Sequence, residues 1–363
     1  MNICFFHGGF AQHGGIGRVV SIIANGMAKE PNYSVYSLSF FKSGEKNAYE
    51  IDPVVKEDYL YGQAKSMTKA ILTNGIWKLC QYIQKNKIEV LVSCGALYYP
   101  LGIICAKFCR IRSICWEHTN PEFAGDYKFQ NIGREFGAKH SDVNVVITQE
   151  AKQNYDKRFP KRNNVLIWNP AANELFAQVG RYNPESRNLI SVGRLSYPKN
   201  FSRLLRIAKK LEEKETDWHW DIYGDGEERA QLEEEIKRLD LGKRVTLKGA
   251  VNDLYTRYQQ YMAVVMTSRY EGFPMVLIEG AANGLPMIAF DVQTGPKEII
   301  RDGINGFLID ETDDESMVNA IVLLLKNRVL REKMSYEAKN SVQCYQLDKV
   351  LSLWNDILYA DND

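Results

Sequence analysis

Two glutamates that bracket a turn and a helix start are the residues of this sequence best suited to chemistry. Residues 269–279 read RYEGFPMVLIE, so Glu271 and Glu279 lie eight positions apart. Pro274 favours the first turn of a helix, which would leave Glu271 in a loop and Glu279 in the second helical turn. Free N–H groups at a helix start attract anions. This pattern predicts a phosphate pocket flanked by carboxylates for sugar and ribose hydroxyls, although two such glutamates alone are more often surface charges.

A second candidate motif carries two cations. Residues 193–200 read GRLSYPKN and follow a short β-rich run, with Arg194 and Lys199 at either side of the loop. Two fixed cations near the start of a helix are suited to binding a diphosphate. They would neutralise a leaving diphosphate without a metal ion, so we expect no metal in this site. The alternative interpretation is a pair of solvated surface cations.

A third candidate is the glycine-rich segment HGGFAQHGGIGR, residues 7–18. Glycines let backbone N–H groups approach a phosphate, and the helix expected to open at about Gly17 would add partial positive charge. A nicotinamide-dinucleotide fingerprint fits poorly, because Gly15 and Gly17 are followed by Val20 and no acidic residue ends the second predicted strand. The alternative to a phosphate loop is a plain tight turn.

Strands and helices must alternate to position these loops. In residues 188–310, short β-rich runs alternate with amphipathic segments, and Phe201–Lys214 has the clearest helical periodicity. Such alternation predicts an α/β fold with parallel sheets, whose ligands bind beyond the carboxyl ends of the strands. The N-terminal half repeats the pattern less regularly. There we predict strands at 3–7, 35–40, 90–93, 112–116 and 144–148, and helices at 17–27, 65–84 and 151–158.

Chain length and composition limit the possible architectures. The 363 residues fit two domains, and proline and glycine cluster in residues 169–188, where we place the linker. The most apolar stretch, 97–115, is interrupted by charges, so we predict no membrane span, and the N-terminus lacks the basic flank of a signal peptide. Seven cysteines without a Cys-x-x-Cys pair indicate reduced thiols in the cytoplasm.

Charge is distributed unevenly, although its total is only +1. Residues 1–170 carry a net charge of +7 and residues 171–363 a net charge of −6. A strongly polyanionic partner for the whole chain is excluded, and no nucleic acid is expected because the cations lack interleaved aromatic residues. The basic half could contact an anionic membrane surface, or the asymmetry is ordinary surface variation.

Four motifs in a fixed order resemble one known family. They are Glu271-x7-Glu279, the GR…KN loop at 193–200, YGDG at 223–226 and NGF at 305–307. This arrangement resembles the fourth family of retaining glycosyltransferases, also called glycosyl transferases group 1, of GT-B fold. The resemblance covers nearly the whole chain and is strongest over residues 187–310. It implies two Rossmann-like, doubly wound parallel-sheet domains that face each other across a cleft.

The resemblance also implies domain boundaries and tasks. Residues 1–170 would form an N-terminal Rossmann-like domain on the acceptor side. Residues 171–345 would form a C-terminal Rossmann-like domain that binds the nucleotide-sugar donor. Residues 346–363 would form a C-terminal helix that crosses back to the first domain.

Roles follow from the resemblance residue by residue. Arg194 and Lys199 would bind the donor diphosphate, Glu279 the ribose, and Glu271 would stand beside the transferred sugar. The expected catalytic residues are Glu271, Arg194, Lys199 and His118, because Glu117-His118 resembles a cleft motif whose histidine contacts the sugar. Here Thr119 takes the place of the acidic residue that often follows this histidine. The further donor-binding positions are Gly15, Gly17, Gly224, Gly249, Val251, Gly272, Phe273, Pro274, Met275 and Val276.

The expected reaction is transfer of a hexose or N-acetylhexosamine, with retention, from a UDP-sugar (GDP as second choice) and without a cofactor. The acceptor would be a glycan linked to polyprenyl diphosphate, in bacterial surface polysaccharide assembly on the inner face of the plasma membrane. A nucleotide-sugar epimerase of the same fold and a non-catalytic nucleotide-sugar-binding module are the alternatives. The helix predicted at 65–84 either packs on the sheet or touches the membrane. The lysines on it or just past it are Lys65, Lys69, Lys78, Lys85 and Lys87.

Overall fold

A computed structural model describes the chain in segments, and these form two compact units. The described residues are 1–9, 15–42, 49–62, 74–118, 128–171, 173–177, 182–251 and 254–360. One unit comprises Met1–Pro170 with Leu347–Asp363, and the other comprises Ala171–Gln346. The predictions made at Gly14, Lys65, Lys69 and Thr119 lie outside the described residues.

The first unit is built on a parallel sheet, of which seven strands lie in the described segments, in the order β3-β2-β1-β4-β5-β6-β7. Every strand pairing is parallel. The inner strands are covered on both faces, which explains their continuous apolar runs; all five residues of β4 are buried. The strands are β1 Asn2–His7, β2 Ser34–Phe41, β3 Lys56–Tyr61, β4 Val90–Cys94, β5 Arg112–Glu117, β6 Val143–Val146 and β7 Asn164–Leu166.

Helices of the first unit connect these strands. Local signals set several of their ends: Pro100 lies in the first turn of α3, which ends at Arg110 in the left-handed conformation (φ 56°). The Thr148 side chain caps α5 by accepting a hydrogen bond from Ala151 N–H at 3.1 Å. The described helices are α1 Gly15–Ala28, α2 Ile76–Lys85, α3 Tyr99–Cys109, α4 Lys128–His140 and α5 Gln149–Arg158.

The second unit is built on a parallel sheet of order β10-β9-β8-β11-β12-β13. The chain runs outward from β8 to β10 on one side and from β11 to β13 on the other. The strand order therefore reverses between β8 and β11, which is the position where open α/β sheets bind ligands. The strands are β8 Asn188–Val192, β9 His219–Tyr223, β10 Val245–Gly249, β11 Ala263–Met266, β12 Met287–Asp291 and β13 Gly306–Asp310.

The helices of the second unit include a clearly amphipathic one, α7. The helix α7 spans Phe201–Lys214 as predicted, and its six buried residues recur at helical spacing. Asp313 and Asn327 cap α11 and α12 with their side-chain oxygens. The helices are α6 Asn173–Ala177, α7 Phe201–Lys214, α8 Arg229–Arg238, α9 Met275–Ala282, α10 Pro296–Ile299, α11 Asp314–Lys326 and α12 Arg328–Ser341.

The last helix, α13 (Leu347–Tyr359), belongs to the first unit. Trp354 is fully buried, and its ring centroid lies 4.9 Å from that of Trp116 in edge-to-face geometry. Tyr33 donates a hydrogen bond to Asn355 Oδ1 at 2.7 Å. Leu351 packs so closely on α1 that a Cβ at Gly26 would lie 3.0 Å from its Cδ1. The apolar face of α13 is thus covered by α1 and the first sheet.

Several predicted elements differ from the structure. The strand predicted at 144–148 is Val143–Val146, since Thr148 caps the following helix instead. The described part of the helix predicted at 65–84 begins at Ile76. Among the described residues, no helix combines the length and apolarity needed to cross a bilayer.

Candidate active site

The loops that follow β8 and β11 are joined by hydrogen bonds. Arg269 N–H donates to Pro198 O at 2.8 Å. The Thr267 hydroxyl lies 3.3 Å from the carbonyl oxygens of both Lys199 and Asn200. The two predicted motifs of the second half are therefore neighbours at the carboxyl ends of adjacent strands.

Within this junction, Lys199 Nζ donates to Oε1 of Glu271 at 2.6 Å. The Ser268 hydroxyl donates to the same oxygen at 2.6 Å, and the Thr294 hydroxyl donates to the backbone carbonyl of Glu271. The Glu271 side chain is only 9% exposed, so these donors hold a largely desolvated carboxylate in one position. Lys199 reaches it across Gly193, where a Cβ would lie 3.3 Å from the lysine methylene carbons.

Close backbone packing explains why position 224, one of the predicted donor-binding positions, is a glycine. Its φ is +133°, and an added Cβ would lie 1.9 Å from the carbonyl oxygen of Gly193. Leu195 N–H donates to Asp225 O at 3.0 Å, which ties the loop after β8 to the loop after β9. Only glycine lets these two loops approach so closely.

Arg194 stands at the exposed side of the same loop. Its side chain is 68% exposed, and Nε donates to Oε2 of Glu227 at 3.1 Å. An ion pair this exposed contributes little to stability, so an incoming anion could compete for the guanidinium. Arg194 lies on the same loop as Lys199, but its partner is Glu227, which the sequence did not indicate.

Glu279 occupies the second turn of α9 and is buried, with 2% exposure. The hydroxyl of Tyr258, which is fully buried, donates to its Oε2 at 2.9 Å. Met275 and Val276 form the half-buried first turn of this helix. Glu279 therefore lies in the second turn of the helix that follows Pro274, as the sequence predicted.

Tyr345 and Gly295 pack against the turn between the two glutamates. Phe273 is 8% exposed, and its ring meets that of Tyr345 edge to face at 5.5 Å. Gly295 has φ +97°, and a Cβ there would lie 2.6 Å from Cδ of Pro274. The loop after β12 thus packs directly against Pro274 and Glu271.

The region predicted for the nucleotide base lies at the end of β10. Gly249, with φ +74°, accepts a hydrogen bond at its carbonyl from Gly224 N–H at 2.9 Å. Val251 is half-buried just beyond it. The structure therefore places Gly249 beside the glycine loop that follows β9.

In the first unit, Gly15 and Gly17 form the first turn of α1. Open space surrounds the Cβ position of Gly15, with no described atom within 4 Å. The turn after β1 is held by His7, whose Nδ1 accepts from Gly9 N–H at 2.9 Å while Nε2 bonds Ser37 Oγ at 2.9 Å. His7 must therefore carry its proton on Nε2. Burial lowers the pKa of His7 to about 3.

His118 follows β5 and is 8% exposed. Its ring lies 4.7 Å from that of Trp116, and burial lowers the pKa of His118 to about 3. The imidazole is therefore neutral at physiological pH. Glu117 is 2% exposed and lies 3.4 Å from both Arg134 Nε and the Tyr155 hydroxyl, so it serves this buried network.

Sequence patterns did not identify Ser268, Thr294, Tyr258, Glu227 or His7. Thr294 and Tyr258 bond residues 23 and 21 positions away, for which no local signal exists, whereas Ser268 bonds Glu271 three positions further on. Ser268 and Thr294 do follow predicted strands, so their positions at strand ends were the one available indication. Among the described residues, no cluster of three or more His, Cys, Asp or Glu could hold a metal ion, and all seven cysteines are free thiols.

Known proteins are similar to this chain in sequence. The profile of the glycosyl transferases group 1 matches residues 173–341. The amylovoran biosynthesis glycosyltransferase AmsD of Erwinia amylovora is 31% identical over 364 residues, which cover 96% of this chain and 97% of that protein. The GalNAc-α-(1→4)-GalNAc-α-(1→3)-diNAcBac-PP-undecaprenol α-1,4-N-acetyl-D-galactosaminyltransferase of Campylobacter jejuni is 25% identical over 354 residues, 94% of each chain.

The folded chain also resembles a solved structure. HepE of Anabaena, in complex with UDP, superposes with a TM-score of 0.81 at 16% identity over 99% of this chain and 100% of that one. Two Rossmann-like units on parallel sheets, with this likeness, define the GT-B fold class. The chain belongs to the glycosyl transferases group 1 and is a glycosyltransferase.

Proposed function

We propose that this chain is a retaining, metal-independent hexosyltransferase that moves a hexose or N-acetylhexosamine from a UDP-sugar to a glycan acceptor. The observation that carries the proposal is the junction of Lys199 and Glu271, 2.6 Å apart, at the switch point of the second sheet. A cation for the diphosphate and a carboxylate for the sugar hydroxyls thus stand together where such folds bind nucleotides.

The proposed chemistry is electrostatic at the donor end. As the anomeric C–O bond breaks, negative charge develops on the diphosphate. Lys199, Arg194 and the positive end of the α9 helix dipole would stabilise this charge without reorganisation. Glu271 would accept hydrogen bonds from the transferred sugar, and the neutral His118 would contact the sugar as the family resemblance implies. Gly15 and Gly17 at the start of α1 would add backbone donors for phosphate.

Retention is proposed to follow from front-face attack. The acceptor hydroxyl oxygen would bond to the anomeric carbon on the side from which the diphosphate leaves, and a donor phosphate oxygen would take the hydroxyl proton. Front-face attack gives Glu271 no covalent role. This suits the residue, because Lys199 and Ser268 both hydrogen-bond its Oε1 and lower its nucleophilicity. A covalent intermediate on Glu271 is the competing path.

UDP is the proposed nucleotide. Support comes from the fold likeness to HepE, which was solved with UDP. The buried Glu279 would accept hydrogen bonds from the ribose hydroxyls. Gly249 and Val251, beside the glycine loop after β9, would border the base.

The proposed acceptor is a lipid-linked glycan of bacterial surface polysaccharide assembly. Its support is the C. jejuni relative, whose name specifies a PP-undecaprenol acceptor, and the E. amylovora relative of amylovoran biosynthesis. Contact with the inner face of an anionic membrane is part of this proposal. Lys85 and Lys87 are exposed at the end of α2, whereas Lys78 is engaged with Leu60 O at 3.0 Å and lies over the Tyr61 ring.

Donor binding and turnover test the central claim. Purified protein with EDTA would be screened against UDP- and GDP-sugars by thermal shift and nucleotide release, with and without undecaprenyl-diphosphate-linked glycans. We expect one UDP-sugar to stabilise the protein and to give an α-linked product from an α-linked donor, as read by NMR. Inversion, a requirement for added metal, or sugar isomerisation without acceptor would overturn the corresponding part of the proposal.

Membrane contact is tested separately by sedimentation with vesicles. We expect the protein to bind vesicles that contain about 30% anionic lipid. High salt should release it, because salt screens the attraction between exposed charges. The K85E/K87E double variant should bind more weakly, while K237E, a change on the exposed face of α8 in the other unit, should bind as the wild type does. Equal binding to neutral vesicles would contradict the electrostatic part of this proposal.

A further inference from the structure

A buried tyrosine holds the second glutamate of the pair. The Tyr258 hydroxyl donates to Oε2 of Glu279 at 2.9 Å, and neither residue is more than 2% exposed. Tyr258 begins a short 3-10 turn, Tyr258–Gln260, just before β11, whereas Glu279 lies on α9 after that strand. The hydrogen bond thus connects the segment that precedes β11 in the chain with the helix that follows this strand.

The turn that carries Tyr258 is anchored on several sides. The hydroxyl of Tyr261 donates to Asp221 Oδ2 at 2.7 Å, on β9. Ser186 Oγ donates to the carbonyl of Gln260 at 2.7 Å. A donor on so firmly held a turn has a defined position, so the carboxylate bound to it is also fixed in orientation.

Fixed orientation matters for a glutamate that must recognise hydroxyl groups. A Glu side chain has three rotatable bonds, and ordering it at the moment of binding would weaken affinity. A buried carboxylate also needs donors to remain favourable as an anion. Tyr258 meets both needs, since its ring is rigidly packed and its hydroxyl points at the carboxylate.

We propose that Tyr258 is a positioning residue for donor binding. Its hydroxyl holds the Glu279 carboxylate in the orientation that accepts hydrogen bonds from the ribose hydroxyls of the nucleotide diphosphate. Tyr258 itself acts through Glu279 and makes no contact with the donor. The inference rests on the proposed function, in which Glu279 binds the ribose.

Comparing two nucleotides tests this role. The dissociation constants of UDP and 2′,3′-dideoxy-UDP would be measured by calorimetry for the wild type and for Y258F. Wild-type protein should favour UDP by about tenfold or more, the effect of hydrogen bonds to a charged group. In Y258F the preference should fall to about threefold or less, because UDP binding weakens while dideoxy-UDP binding changes little.

Tyr33 supplies the control. The variant Y33F removes a buried tyrosine hydroxyl in the first unit, one that bonds Asn355 instead of Glu279. It should keep the wild-type preference for UDP. In an E279A background, Y258F should no longer alter the preference, because the residue through which it acts is gone. With a UDP-sugar, Y258F should raise KM about fivefold to tenfold and leave kcat within about twofold.

The outcomes separate the two proposals. Equal weakening of both nucleotides in Y258F, or the same loss of preference in Y33F, would show a merely structural role and overturn the inference alone. A wild type that binds UDP no better than dideoxy-UDP would also overturn it while leaving nucleotide binding intact. A wild type that binds neither nucleotide would overturn the proposed function itself.

Discussion

Lys199 Nζ and Glu271 Oε1 lie 2.6 Å apart, although the two residues are 72 positions apart in the chain. The sequence suggested a phosphate ligand and a sugar ligand in separate loops. The structure shows them as one ion pair, with Ser268 as a second donor to the same oxygen. The proposed donor site is thereby pre-organised, and changing one member affects the other.

Replacing Lys199 by alanine should lower kcat/KM for the donor about 100-fold to 1,000-fold, since it removes a cation from the developing charge. It also leaves the largely buried Glu271 without its counter-ion, so the melting temperature should fall. Kinetics and melting curves of K199A, E271A and the double variant would show strong non-additivity. K237A, on the exposed face of α8, serves as the control and should behave as the wild type does.

Replacing Ser268 by alanine should lower kcat about tenfold. The change keeps the Lys199 pair but removes one of the two donors to Oε1, so Glu271 gains freedom to rotate. Steady-state kinetics with a saturating UDP-sugar would measure the loss. S268T, which retains a hydroxyl, should recover part of the activity, and equal losses in both variants would contradict the hydrogen-bond explanation.

Replacing Gly224 by alanine should destabilise the protein by about 3 kcal/mol, through the left-handed backbone and the collision of a Cβ with Gly193 O. UDP affinity should fall with it, because the loop after β8 is displaced. Gly242 is a matched control, since no atom of the described residues, apart from its chain neighbours, lies within 4 Å of its Cβ position. In denaturant unfolding, G242A should be about as stable as the wild type. Similar losses of stability in G224A and G242A would argue against close packing of the loops as the cause.

Acid should destabilise the protein through its buried histidines. Burial lowers the pKa of His118 to about 3, so the folded state stays unprotonated as the pH falls below 6.5 while the unfolded state takes up a proton. Stability is therefore fully present above pH 6.5 and declines below it, by about 2 kcal/mol at pH 5 for this residue. Unfolding of H118Q should depend less on pH between 7 and 5 than that of the wild type.

His140 provides the comparison for this acid effect, because it is exposed on α4. H140Q should change the dependence of stability on pH less than H118Q does, although desolvation and the nearby Lys107 also lower the pKa of His140. The neutral state of His118 also implies that its protonation causes no loss of transferase activity between pH 6 and 8. If activity falls at acidic pH in the wild type but not in H118Q, the assignment of His118 as buried and neutral is wrong.

Replacing Trp354 by alanine should destabilise the first unit by about 3–5 kcal/mol. The indole is fully buried against Trp116 and Phe5, and its loss would leave a cavity under β1 and β5. W354F should cost less, because a smaller ring still fills part of the space. Thermal unfolding would measure both, with Y336A, at an exposed position of α12, as a control of similar chemistry.

Elements with a strong amphipathic pattern were predictable. The helix Phe201–Lys214 is confirmed to the residue, since six apolar side chains recur on one face. Missed elements lack such a pattern: α3 is apolar nearly all round, and β3 is a polar edge strand with four exposed residues. The segment before β11 forms only short 3-10 turns, at Leu254–Thr256 and Tyr258–Gln260.

The sequence by itself determined the α/β class, the alternation of the second half and the candidate residues Lys199, Glu271 and Glu279, because periodicity, glycine turns and Pro274 are local signals. Only the tertiary structure decided that Lys199 bonds Glu271 and that Tyr258 holds Glu279. It also decided that the last helix packs in the first unit. These contacts join segments far apart along the chain, and their formation depends on distances that only the packed sheets define.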